Sequence, residues 1–419
     1  MGAAGAAGVP DPTAGRPDVT PLRSTAFRWL WCSTLGSAGA QGLERTATAW
    51  LALEAGGGLA VGLALAARAV PSLLLGLAAG TLADRVDRRR QLVAVAAAML
   101  PLTAVVATFV GVRGVATWYV VALSFALGCL QVFDGPARQA LVLDTVPDEA
   151  AASAFALHAF GARLATALGA LGAGVLIPQS GVSSCYLAVA GLYVLSAALV
   201  APVRVAPVQP VGFVHPPFRR ALLDAARLVI DVPAVRILSV AGITCEIFAF
   251  SHGTALPVLA RDVLAAGPAG LGTLNAGASV GGTAAVVLLA VLPGRVRREP
   301  LLGAAFLLYG GALLALGASG VLAAAVALMV VVGACAAAFD VLRQTLIQTA
   351  VPVAQRGRAA GVWVLGVGSA PVGHLEMGLL VAALGAPGAL LINGAVVVAA
   401  AGALLLRAPS YRWATRPTP

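Results

Sequence analysis

Six charged side chains stand in otherwise apolar stretches of this sequence: Glu44, Arg45, Arg68, Arg163, Glu246 and Glu376. A charge at the centre of a bilayer costs about 2.5–3.5 kcal/mol even on the mildest scale, so each must face a cavity or a partner. Glu246 and Glu376 offer the most chemistry. A carboxyl in a low-dielectric interior can take up and release a proton near neutral pH, or hold a cationic group. The competing reading for both is a structural ion pair with Arg163, Arg68 or Arg45. Glu44 reads first as structural, Arg68 as a structural or gating partner, and Arg163 as a candidate for proton or substrate binding. Glu44 and Arg45 are successive residues, so they point in different directions and do not neutralise each other on one helical face. His158, His252 and His374 also fall in or near apolar stretches. Each could relay protons, but a hydrogen bond made for packing is the simpler reading.

The composition says what must position these groups. Of 419 residues, 60% are hydrophobic and only 11% are charged, with mean hydropathy +0.94. A soluble domain of this size carries about 25% charged residues, so this chain is too apolar to keep a water-facing surface. A membrane span needs about 20 apolar residues. Twelve of them recur, over 28–53, 58–83, 91–111, 117–139, 153–177, 184–203, 236–257, 270–292, 301–318, 321–343, 359–383 and 387–406. They are called spans 1 to 12. At about 1.5 Å per residue, Glu246 lies about 15 Å into span 7, near the midplane, and Arg163 lies at similar depth in span 5. Glu44, Arg45 and Arg68 fall in the outer half. What is left over is tails and loops, which excludes a sizeable soluble catalytic or nucleic-acid-binding domain.

Charge placement orients the spans. All 27 basic residues are Arg, and the formal net charge is +10. With an even number of spans, 22 of the 27 Arg fall on the side of the termini, two (Arg113 and Arg261) on the other side, and Arg45, Arg68 and Arg163 inside spans. Positive charge marks the cytoplasmic face of a membrane protein, so both termini are expected in the cytoplasm. The missing Lys has chemical consequences too. A Walker A loop needs Gly-Lys-Ser/Thr, so ATP is not expected as a partner, and Schiff-base chemistry is excluded. The five Cys are isolated in apolar stretches, with no Cys-x-x-Cys and no His at metal spacing. They read as packing residues, and neither a metal nor a cofactor is expected.

The chain divides into a disordered cytoplasmic tail (1–27), an N-terminal six-helix bundle (28–203), a linker (204–235), a C-terminal six-helix bundle (236–406) and a second tail (407–419). The linker opens Pro-rich and closes on FRRALLDAARLVID, 218–231. There Phe218, Ala221, Leu222, Ala225, Leu228 and Val229 share one helical face, which reads as a short amphipathic helix on the membrane surface. The two halves echo each other. Arg138-Gln139-Ala140-Leu141 follows span 4 with Pro147 nine residues past the Arg, and Arg343-Gln344-Thr345-Leu346 follows span 10 with Pro352 nine past. Phe133-Asp134 and Phe339-Asp340 precede them. Parallel repeats of this kind build transporters with one site between the halves near the midplane.

The run Gly80-Thr81-Leu82-Ala83-Asp84-Arg85-Val86-Asp87-Arg88-Arg89-Arg90 resembles the loop 2–3 signature of the major facilitator superfamily, with Asp87 where that family often has Gly. Further pieces match its branch of enterobactin exporters, macrolide efflux pumps and transmembrane secretion effectors: Trp50-Leu51, Ala67-Arg68-Ala69-Val70-Pro71, Pro136-Ala137-Arg138-Gln139-Ala140, Leu256-Pro257-Val258-Leu259-Ala260-Arg261-Asp262-Val263 and Arg356-Gly357-Arg358. Span 5 carries a variant of the antiporter motif, Gly169-Ala170-Leu171-Gly172-Ala173-Gly174, with Ala170 in place of Pro. Its small residues permit tight packing between the halves.

The resemblance implies an all-α polytopic protein of twelve transmembrane helices in two pseudo-symmetric six-helix bundles, working by alternating access. It also implies export of a small amphipathic molecule across the plasma membrane against proton entry, by a monomer that is not an enzyme. A siderophore exporter or a lipid flippase of the same fold is the alternative; a transport-dead sensor or a membrane-embedded enzyme is more remote. Gly80, Asp84, Arg85, Arg88, Asp134, Arg138, Asp340 and Arg343 are expected at a cytoplasmic gate whose ion pairs hold one conformation and break in the other. The competing reading for that cluster is surface charge in the headgroup zone.

Overall fold

The computed structural model describes residues 20–112, 115–205, 218–292, 296–352, 355, 359, 361–362 and 366–406; within these, the side chains of residues 77, 81, 84, 85, 111, 112 and 218–222 are not described. The expectations for both tails, for Arg113, Arg295, Arg356 and Arg358, and for the side chains of Asp84 and Arg85 lie outside the described residues. Among the described residues, nine helical stretches are long and apolar enough to cross a membrane. Three of these are two helices joined by glycine. Thr25–Arg85 breaks at Gly56 and Gly57, Ala151–Val200 at Gly181, and Ala370–Leu406 at Gly385. Gly57, Gly181 and Gly385 take φ values of +67°, +78° and +72°, a region that only glycine enters at little cost. These breaks reverse the chain. On a straight helix Glu44 and Arg68 would stand about 36 Å apart, yet they form an ion pair of 2.7 Å. Asn393 likewise reaches back across the Gly385 turn to Glu376, at 3.1 Å.

Twelve crossing segments result, and the breaks fall in the gaps expected between spans 1 and 2, 5 and 6, and 11 and 12. The remaining helices are Arg88–Val112, Thr117–Asp144, Pro233–Phe248, Gly267–Val291, Arg298–Gly317 and Leu322–Thr349. Spans 4 and 10 run five or more residues past their expected ends. As a result Arg138 and Arg343 lie inside helices and are buried, not in loops. Span 7 differs more. Its regular helix stops at Phe248 and continues as a 3-10 stretch Phe250–Thr254 and a π-helical turn Leu259–Val263. Pro257 lies between these two pieces and lacks the N–H that a regular helix would require there.

Because twelve is even, both ends of the chain emerge at one end of the bundle, the terminal end; the Gly56–Gly57, Gly181 and Gly385 turns lie at the far end. Each half is assembled by the same helix pairs. Span 1 packs on span 5, where a side chain on Gly42 would strike the Thr166 backbone; span 7 packs on span 11, where one on Gly373 would strike Ile247. Span 2 meets span 4 at Gly128 against Arg68, and span 8 meets span 10 at Gly281 and Gly333 against Val330 and Ala278. Span 3 takes a hydrogen bond from span 6, Ser183 Oγ to the Ala107 carbonyl, and span 9 packs on span 12 at Gly310 and Val398. Small residues let backbones approach this closely where lipid supplies no hydrophobic drive between helices.

Two close backbone contacts between the halves are themselves equivalent. Gly62 of span 2 lies against Gly378 of span 11, and Gly174 of span 5 lies against Ala269 and Gly272 of span 8. Both contacts are in the half of the membrane nearer the far end. At the terminal end, side chains built on Gly80 and Gly135 would meet open space among the described residues. The conformation is therefore closed at the far end. The linker helix, Phe218–Asp231, has the expected bounds. Ala225 and Leu228 are buried against the start of span 7, while Leu223 and Ile230 are exposed.

Candidate functional site

The interior polar residues form two clusters, one in each half. In the N-terminal half Glu44 is fully buried. Arg68 donates to both of its oxygens, at 2.8 and 2.7 Å, and also to Gln131 Oε1 at 2.6 Å. Gln131 Nε2 donates back to Glu44 at 3.2 Å, and Thr48 Oγ1 donates at 2.8 Å while sharing a hydrogen with Tyr186 OH at 2.7 Å. The bidentate guanidinium–carboxylate geometry is the strong form of this contact. Arg68 is thus committed to Glu44 and pairs with neither Glu246 nor Glu376. Arg45, the next residue after Glu44, is exposed and takes no part in these hydrogen bonds.

Deeper toward the terminal end of the same half, Arg138 is also saturated. It pairs with Asp134 one turn earlier through two hydrogen bonds of 3.0 and 2.8 Å, and donates to Ser33 and Thr34 of span 1 at 3.2 and 3.4 Å. Arg88 pairs with Asp144 at the end of span 4 and donates to the Ala83 carbonyl.

The C-terminal half holds the same residue types in a different state. Arg343, the counterpart of Arg138, is 1% exposed. Among the described residues it makes one long hydrogen bond, 3.4 Å to Asp340, and its Nε and Nη1 have no partner. Its guanidinium lies against Gly242 of span 7 and near Gly366 of span 11. Glu246 sits one turn beyond Gly242 and is half-buried. Among the described residues no hydrogen bond or ion pair holds it, though it lies in the electrostatic field of Arg343 and Asp340. None of the expected partners Arg163, Arg68 and Arg45 reaches it. Arg163 extends instead from span 5 toward Gly282 of span 8 and feels the charge of Asp340. Glu376 accepts from Asn393 at 3.1 Å.

Of the expected gate residues, Asp134 and Arg138, Asp340 and Arg343, and Arg88 with Asp144 pair within their own half; no ion pair between described residues crosses from one half to the other. Within the span 5 motif the three glycines have different neighbours. Gly169 packs on Gly39 and Leu43 of its own half, Gly174 packs across the halves, and Gly172 makes only an ordinary contact with Leu43. The three described histidines are each hydrogen-bonded: His158 to Thr34, His252 to the Ala249 carbonyl and Tyr309, and His374 to Thr254. The residues that sequence reasoning missed are the neutral ones that complete these shells, Thr48, Gln131, Tyr186, Ser33, Thr34 and Asn393. A lone amide in an apolar span, such as Gln131 or Asn393, was the available signal.

No group of three or more His, Cys, Asp or Glu among the described residues could hold a metal ion. Gly277-Ala278-Ser279-Val280-Gly281 matches the G-x-S-x-G pattern of serine hydrolases. That motif works on a strained strand-to-helix turn, whereas here it lies in mid-helix, with Ser279 Oγ donating to the Asn275 carbonyl at 3.1 Å.

The paired bundles, their equivalent contacts and a polar interior buried in apolar helices define a membrane transporter fold of the major facilitator type. Solved structures carry the same fold. The nucleoside transporter NupG aligns with TM-score 0.72 at 12% identity, over 91% of this chain and 98% of that one. A POT family transporter in complex with a thioalcohol-conjugated peptide aligns with TM-score 0.72 at 12% identity, over 92% and 96%. A bacterial homologue of the human lysosomal transporter Spinster, inward-facing and unoccupied, aligns with TM-score 0.64 at 17% identity, over 95% and 98%. No curated protein matches by sequence. The family model described as transmembrane secretion effector matches residues 17–415. The chain belongs to that family, within the major facilitator superfamily.

Proposed function

We propose that this protein is a secondary active transporter that exports a small amphipathic molecule across the plasma membrane in exchange for protons. The observation that carries this reading is Glu246, an acid near the midplane that no hydrogen bond or ion pair holds among the described residues. A proton carrier must exchange its proton in each cycle, and a carboxylate tied down as Glu44 is cannot do so cheaply. Glu376, with its single amide partner, is the second candidate. The repeated helix pairs support a division into halves at 28–203 and 236–406, and the Arg bias supports a cytoplasmic terminal end. In that orientation the close backbone contacts between the halves lie toward the outer face. Each proton entering supplies about 2.3 kcal/mol per 100 mV, enough for a gradient of roughly 50-fold.

The test uses everted, respiring vesicles from cells expressing the protein. Uptake of a panel of amphipathic compounds is followed with and without a protonophore, for wild type and Glu246→Gln. Uptake abolished by the protonophore and by the substitution supports the reading. Uptake that survives both overturns it.

A further inference from the structure

Among the described residues Arg343 is the one charged group whose fully buried polar atoms lack a hydrogen-bond partner. Two of its N–H donors are buried without an acceptor, and leaving such donors unmet costs more than a hydrogen bond is worth once made. Its repeat equivalent, Arg138, shows what saturation at this position looks like: a bidentate carboxylate and two hydroxyls. The free edge of Arg343 lies on Gly242, where the missing side chain leaves room for the guanidinium. Glu246 follows on the same helix, one turn along and about 40° round. The regular helix ends two residues later, at Phe248, in the 3-10 stretch, so the segment carrying Glu246 is not clamped by a continuous rod beyond it. The other ionisable groups around the pair are Asp340 and Cys335 of span 10, Cys245 of span 7, Tyr309 of span 9 and, through Asp340, Arg163 of span 5. Glu246 is the one acid among them on span 7.

We propose that Arg343 is the exchange partner of Glu246: ionised Glu246 docks its carboxylate on the free Nε and Nη1 of Arg343, and protonated Glu246 releases it, leaving Arg343 on Asp340 as seen here. The proton leaves to water in the interior and returns from it, and no other bond changes. Arg343 thereby acts as a positioning residue that ties the protonation of span 7 to span 10 and so to the terminal end. This rests on the reading of Glu246 as the proton carrier.

Spin labels at the exposed positions Leu143 and Val341, one on each half at the terminal end, report that coupling. The protein is placed in lipid nanodiscs with its native cysteines replaced, and distances are compared at mildly acidic and mildly alkaline pH. The expected result is a pH-dependent shift in the background protein, its loss in both Glu246→Gln and Arg343→Gln, and its retention in Arg343→Lys. Arg343→Met serves the same purpose if Arg343→Gln does not fold. Proton-driven transport should fall at least tenfold in either uncharged variant and recover in part with Lys. A shift that persists without the Arg343 charge but disappears in Glu246→Gln overturns the pairing and leaves Glu246 as the carrier. A shift that persists in Glu246→Gln overturns both. Loss in Arg343→Lys equal to that in the uncharged variants shows that shape and not charge matters, and also overturns the pairing.

Discussion

Arg138 and Arg343 occupy equivalent places in the two halves, are followed by nearly the same residues, and are both buried, yet one has every donor engaged and the other has two idle. Glu44 and Glu246 differ in the same way: one is enclosed by Arg68, Gln131 and Thr48, the other is held by no described residue. The N-terminal half is therefore built as a fixed polar core and the C-terminal half as a labile one. Duplication supplied two copies of a frame, and the neutral residues around each charge decided which copy was tied down. Ser33 and Thr34 saturate Arg138, while the equivalent space on span 7 is taken up by Gly242.

The largest effect should come from breaking the fixed half. Glu44→Gln leaves Arg68 buried without its carboxylate, and breaking such a pair costs about 3–5 kcal/mol. A thermal unfolding series in detergent should show this as a large fall in midpoint, partly restored when Arg68→Gln is added. Equal losses in the single and double variants would mean that the pair is not the source of stability. Glu246→Gln should do the reverse, with thermal stability within about 1 kcal/mol of wild type, as for substitutions that break no buried network, and proton-driven uptake down at least tenfold. An unfolding midpoint as low as that of Glu44→Gln would remove the contrast between the halves.

A third test acts between the halves. Gly62→Val places methyl groups where Gly378 already touches, and overpacking of this kind costs about 1–3 kcal/mol. The cost falls on the far-end-closed conformation, so alkylation of a cysteine introduced at the far end should become faster. An unchanged rate would show that the contact is not part of the closure. The smallest effect is expected for Asn393→Ala, which removes the one hydrogen bond to Glu376, worth about 1 kcal/mol. A small shift in the pH profile of uptake should follow, and a loss as large as that of Glu246→Gln would move the carrier role to Glu376.

Much of this arrangement was legible from residue type alone. Apolar runs located the spans, the gaps between them held the glycines that reverse the chain, and the Arg-Gln repeat located equivalent helices. A charge in an apolar run could be recognised as significant, but its partner could not, because pairing depends on which way each helix is turned. One residue of difference is 100° of rotation on a helix. Glu44 and Arg68 are joined only because the Gly56–Gly57 turn sets span 2 beside span 1 at a particular height. The lengths of spans 4 and 10 were underestimated for a related reason: Asp134, Arg138, Asp340 and Arg343 resemble the loop charges that end a span, yet the helical backbone continues past them. The irregular second part of span 7 carried a weak signal in Ser251-His252-Gly253 and Pro257, set in a run that otherwise passes for continuous helix.

The two contacts between the halves have a mechanical consequence. Gly62 on Gly378, and Gly174 on Gly272, are backbone against backbone. They act as a pair of smooth bearings on either side of a common axle. The helices extend about 20 residues from this axle to the terminal end, a lever of about 30 Å. A roll of about 10° on such a lever moves its tip by about 5 Å, comparable to one helical turn. On the proposed mechanism, a modest change in one interior ion pair would thereby be geared up into the opening and closing of a mouth.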